Sequence, residues 1–99
     1  MQLNSNPTSS TRDNVISFPK LESWNILTEV ATIAAQVNKR RVLCRISMEI
    51  LHEKFGDSEE EPMQSVALYR NAIEEAARKL IERERYEEDG SILIRASDL

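Results

Sequence analysis

Two strand-like runs held apart by only two residues constrain this chain more than any other feature of it. Residues 29–37 and 40–46 are rich in Val, Ile and Ala and flank Asn38-Lys39. So short a connection leaves one register for a β-hairpin, in which Val37 opposes Arg40. Ala35 then meets Val42, Ile33 meets Cys44 and Ala31 meets Ile46, all on one face. The other face sets Gln36 against Arg41 and Thr32 against Arg45, but also Ala34 against Leu43. One side of the hairpin is therefore core, and the second is mixed.

Around this hairpin the chain supplies the rest of a small domain. Val15-Ile16-Ser17-Phe18, stopped by Pro19, predicts a brief edge strand. Leu21 to Leu27 carries Trp24 and is expected to form a turn or a single helical turn, with Trp24 packed over the edge of the core. Ser47 is a candidate N-cap, and Glu49 suits the first turn of the helix it opens. Leu51 and Phe55 form the buried stripe of that helix, and Gly56 stops it. A second, longer helix is predicted from Pro62 to about Tyr86, with Val66, Ile73, Ala77 and Leu80 in a narrow arc. Its roughly 37 Å length would overhang the sheet. Asp89-Gly90 is a turn, and 91–96 is expected to be a final strand. The expected class is α+β: a small, antiparallel-rich sheet of hairpin 29–46 plus strands near 15–18 and 91–96. It packs against one short helix and one long helix in the C-terminal half. Residues 1–14, rich in Ser, Thr and Asn, are expected to be a disordered leader to a single domain over 15–99.

Size and charge narrow the functional classes. Ninety-nine residues suffice for one core with no large internal ligand cavity. Cys44 is the sole cysteine, so no disulfide forms within the chain. Absence of an apolar signal core and of any run near the roughly 20 apolar residues of a membrane span points to the cytoplasm. The net charge of −4 is unevenly spread. Lys39, Arg40, Arg41 and Arg45 form a basic cluster, whereas eleven acidic and five basic side chains lie between Asp57 and Asp89. Such a molecule favours protein partners of mixed charge over polyanions.

None of the chemistry-bearing residues assembles a convincing catalytic or metal motif. Cys44 falls on the inward face of the hairpin and reads as a small buried hydrophobe. His52 lies beside the Leu51–Phe55 stripe, and a Cys44–His52 dyad would lack an orienting third group. Glu59-Glu60-Glu61 and Glu87-Glu88-Asp89 lack the ligand spacing of a calcium loop. Arg70 sits closer to the apolar arc than a charge ordinarily does. It reads as a snorkelling side chain paired to Glu74 or to an acid elsewhere, with a recognition arginine as the alternative. The basic cluster is the best functional feature, but no aromatic lies within the hairpin to stack on bases.

From Ile16 onward the chain resembles a bacterial family designated domain of unknown function 1488. The likeness lies in Phe18-Pro19 followed by Trp24, the hairpin turn after Val37, and Val42-Leu43-Cys44-Arg45-Ile46-Ser47. Leu51 with Phe55-Gly56, Tyr69-Arg70 with Ile73 and Ala76-Ala77, and Asp89-Gly90 with Ile92 to Ile94 complete it. The resemblance implies a small α+β fold and no particular activity. The family's turn commonly carries Gly where this chain has Lys39. A type I′ turn needs positive φ at that position, which leaves the turn type open.

The expectation is a non-enzymatic protein-interaction or small regulatory accessory module without cofactor, metal or membrane partner. Its candidate surface comprises Lys39, Arg40, Arg41, Leu43, Arg45 and Arg70. Homodimerisation through the mixed face is one way of covering it. The alternative is a weak nucleic-acid or phosphate binder using 39–45, although the acidic balance argues against nucleic acid.

Overall fold

The computed structural model describes residues 15–56 and 62–99. The expected leader and the acidic connector 57–61 lie outside them. In chain order the elements are β1 (Ile16–Ser17), β2 (Glu22–Asn25), β3 (Val30–Val37), β4 (Arg40–Ser47), α1 (Met48–Phe55), α2 (Pro62–Leu68), α3 (Arg70–Glu82) and β5 (Ile92–Leu93). A short 3₁₀ turn, Ala96–Asp98, follows.

β3 and β4 pair in the register expected from the two-residue loop, from Val37 opposite Arg40 to Val30 opposite Ser47. Asn38 and Lys39 have φ of 50° and 73°, so the turn is type I′ despite the absence of glycine. Asn38 tolerates this left-handed backbone and uses it twice. Its N–H donates to the Val15 carbonyl at 3.1 Å, and its Oδ1 accepts from the Val15 N–H at 3.0 Å. These bonds hold the start of the chain against the hairpin and let β1 pair with the far end of β3.

The segment around Trp24 is a strand rather than a turn. β2 pairs with β3 from Glu22 opposite Ile33 to Asn25 opposite Val30. Asn25 closes the connection by accepting from the N–H groups of Leu27 and Thr28 through Oδ1. β1 and β2 thus share one edge of β3, broken at Pro19, where a ladder N–H is missing. Trp24, opposite Ala31, packs against the core as expected.

At the other edge β5 runs parallel to β4, so the five-stranded sheet is mixed. β4 and β5 are joined by a helical crossover, the connection that returns a chain in parallel. β5 is also shorter than expected, and the 3₁₀ turn takes the chain onward.

The helices cover one face of the sheet. Ser47 caps α1 by accepting from the Ile50 N–H at 3.2 Å, and Gly56 ends it at φ 62°. The single long helix expected over 62–86 is two helices, broken at Tyr69. Neither Pro nor Gly stands there, but two tertiary ties do. Tyr69 stacks on Phe55 with ring centroids 4.1 Å apart. Arg70 reaches across to Glu22 and the Pro19 carbonyl. The C-terminal end comes at Glu82, where Glu84 takes φ 56°. The Arg85 N–H then reaches the Leu80 carbonyl and the Glu84 N–H that of Ile81, a Schellman arrangement. The core lies between Ala31, Ile33, Ala35, Val42, Cys44 and Ile46 of the sheet and the buried arc of Val66, Ile73, Ala77, Leu80 and Ile81.

Candidate functional site: the open face of the sheet

Since side chains alternate along a strand, the face opposite the core is set by the same register. Leu43 opposes Ala34 there, and the Ala34 N–H donates to the Leu21 carbonyl at 3.2 Å. Leu21, Ala34 and Leu43 therefore form an apolar row across three strands. Ala34 is buried yet lies outside the core cluster, while Leu21 and Leu43 remain 46% and 48% exposed. A shallow depression of about 280 Å³ follows this row, walled by Ser23, Thr32 and Arg41.

The candidate surface residues divide. Lys39, Arg41, Leu43 and Arg45 share the open side. Lys39 lies beside Gln36 and Ser17 at the hairpin tip, and Arg41 is exposed on β4. Arg45 is half-buried and committed: its Nη2 donates to Ser91 Oγ at 2.9 Å. Ser91 Oγ in turn donates to Asp89 Oδ1 at 2.6 Å. The Ser91 hydroxyl and N–H, helped by nearby Arg45, hold the Asp89 carboxyl below its usual range. Arg40 alternates to the opposite side and lies near Tyr86 and Glu84.

Arg70 belongs to neither group. It opens α3, its side chain is 15% exposed, and it bonds Glu74 Oε2 at 2.6 Å, the Glu22 carboxylate and the Pro19 carbonyl at 2.9 Å. The pairing with Glu74 and a second acid is the snorkelling arrangement anticipated from its place on the helix. Its role is to clamp the broken edge strand to the helical layer. The guanidinium of Arg78 over the Phe18 ring, 5.6 Å from its centroid, adds to that clamp.

Cys44 is wholly buried, its Sγ 3.8 Å from the Val42 carbonyl. Burial pushes the thiol up to about 12, so it carries no nucleophilic thiolate near neutrality. His52 lies exposed on α1. Among the described residues no His, Cys, Asp and Glu side chains gather as a metal-ligand group. No described helix is long and apolar enough to cross a membrane. The residue that sequence reasoning misses is Leu21, which leads into β2 from a segment that reads as a turn or a single helical turn. No period-two pattern marks the segment, because each face takes one apolar and one polar residue, Leu21 with Ser23 and Trp24 with Glu22.

A family model described as "Protein of unknown function (DUF1488)" matches residues 16–94. The chain belongs to this family. A relative, "Uncharacterized protein YrdB" of Escherichia coli K12, is 32% identical over 79 residues, covering 79% of this chain and 93% of that protein. The crystal structure of a DUF1488 protein from Shewanella loihica PV-4 superposes with a TM-score of 0.73 at 26% identity. That likeness covers 80% of this chain and 90% of the other. The shared span runs from β1 to the residue after β5, which is the whole sheet with its helical layer.

Proposed function

We propose that this DUF1488 chain is a non-enzymatic interaction module that docks a partner protein on the open face of its sheet. The observation that carries the reading is the row Leu21–Ala34–Leu43, an apolar strip that no element covers among the described residues and that polar and cationic side chains border. Large exposed apolar side chains that line up across strands mark contact surfaces more than singly scattered ones do. Cys44 supports the non-enzymatic half of the reading, since its thiol is both enclosed and protonated.

The test is a double substitution, Leu21→Glu with Leu43→Glu. Both side chains point outward, so the helical core is untouched and unchanged circular dichroism is expected. Affinity capture from native extract with the unaltered chain should return a specific partner that the double variant loses. Equal capture by both chains would refute the reading. Light scattering on the purified chain separates the homodimer version: a monomer at high concentration removes it.

Phosphate or nucleic-acid binding through 39–45 is the second reading, carried by Lys39 and Arg41 side by side at the tip. Oligonucleotide binding at low salt that disappears on replacing Lys39 and Arg41 with Ala would favour it.

A further inference from the structure

We propose that the occupant of the open face is an acidic amphipathic segment of another protein, an assignment that rests on the reading of this face as a docking surface. Its apolar side chains would lie on Leu21, Ala34 and Leu43, and its carboxylates on Arg41 and Lys39.

Charge carries the assignment. The chain has 17 acidic residues and a net charge of −4, yet the register turns none of the strand carboxylates toward this face. Glu22 alternates inward opposite Ile33, where it meets Arg70. The outward positions between Ser17 and Leu93 hold neutral side chains and the cations Arg41 and Arg45. Arg45 is already tied to Ser91. The Arg41 side chain is exposed and takes part in no ion pair or hydrogen bond among the described residues. It stands two residues from Leu43 on the same face, about 6.6 Å along the strand. A ligand seated on the apolar row therefore brings its flank within reach of a free guanidinium. A carboxylate is the group that such a fork pairs with best.

The same inventory disfavours the other occupants. A second copy applied face to face brings more cations and no strand carboxylate. If instead it docked its acidic helical side, the contact would be head-to-tail and would propagate rather than close. Nucleic acid would need stacking platforms, but Phe18, Trp24, Phe55, Tyr69 and Tyr86 all pack against the core. These are all five aromatic residues of the chain.

The experiment places the photo-crosslinker p-benzoylphenylalanine at Leu43 in the full chain in native cells, with Glu75 on α3 as the control position. Peptides attached at each position are sequenced by mass spectrometry. The expected adduct at position 43 is a peptide of another protein bearing several carboxylates beside apolar residues. Its yield should fall roughly fivefold to tenfold when Arg41→Glu is added, and again at high salt. A peptide without carboxylates, a second copy, a nucleic-acid adduct, or a yield indifferent to Arg41→Glu would overturn the acidic assignment while leaving a docking face. No adduct at position 43 beyond that at Glu75 would remove the docking face itself.

Discussion

Replacing Lys39 with Gly tests the physical account of the hairpin, because Lys39 holds φ 73° in a turn built for glycine. An L-residue in left-handed backbone costs about 1–2 kcal/mol through crowding of Cβ against the neighbouring carbonyl. Glycine removes that cost but gives back about 0.5–1 kcal/mol, because it gains freedom in the unfolded chain. The net expectation is a stabilisation of about 0.5–1 kcal/mol. For a domain of this size that raises the melting temperature by about 2–8 °C. Thermal and urea unfolding followed by circular dichroism would measure it, with an unchanged m-value as the sign that only stability moved. Lys39→Ala serves as the control. It removes the ammonium but keeps Cβ, and should stay within about 0.5 kcal/mol of the parent. A Gly variant no more stable than the Ala variant would refute the type I′ strain. Equal gains in both would assign the effect to charge at the hairpin tip.

The second left-handed site predicts a parallel result: Glu84→Gly, at φ 56° after α3, should stabilise by about 0.5–1 kcal/mol in the same unfolding assay. Arg70→Ala should cost about 1–3 kcal/mol, a figure lowered by the solvent that reaches Glu22 and Glu74. Arg70→Lys should recover only part of it, because one ammonium cannot span three acceptors held in different directions. Cys44 should resist iodoacetamide at pH 8 until the chain unfolds, since its thiol is enclosed and titrates near 12. An unfolded thiol titrates near 9.0, so from about 9 to 12 the folded state holds a proton that the unfolded state has lost. Stability should fall as pH rises through that window, and Cys44→Ala should show a shallower fall in pH-dependent urea unfolding.

What was legible in the sequence is what local chemistry dictates. A two-residue loop admits one register, so every pair from Val37–Arg40 to Val30–Ser47 could be written down beforehand. Ser47 and Gly56 announce the ends of α1 because a hydroxyl acceptor and a glycine suit those positions. The illegible parts are those that tertiary structure imposes on unmarked residues. Nothing in Leu68-Tyr69-Arg70 forbids a continuous helix; the break comes with a ring on Phe55 and a guanidinium on the broken edge strand. Glu84 ends α3 in a conformation that sequence patterns assign to glycine or asparagine. At the candidate site, alternation placed Arg41, Leu43 and Arg45 on one side, and the same alternation left Arg40 opposite. Arg70 joined the candidate surface because it lies so close to the apolar arc for a charge, and its partners are scaffold groups, Glu22, Glu74 and the Pro19 carbonyl. Leu21 is hidden because residues 21–27 read as a turn or a single helical turn, whereas the edge strand resumes after the proline.

The parallel pairing of β5 also explains why, among the described residues, one face of the sheet carries no covering element. Parallel neighbours cannot be joined by a tight turn, so the chain from Met48 to Ser91 is committed to the crossover and its helices. Those helices are amphipathic and must bury their apolar arcs against the same sheet face, where Ile33, Cys44 and Ile46 await them. Among the described residues no further element is left to lay over the second face. A bare face must be polar enough to stay in water, and Thr32, Gln36, Ser23 and Arg41 make most of it so. Leu21 and Leu43 break that rule in register on either side of Ala34. Solubility alone would be served by Thr or Gln at both sites, at little cost to strand propensity. The aligned exception supports the proposed docking of another molecule on this face. It predicts that Leu21→Gln with Leu43→Thr leaves folding stability within about 0.5 kcal/mol while abolishing partner capture.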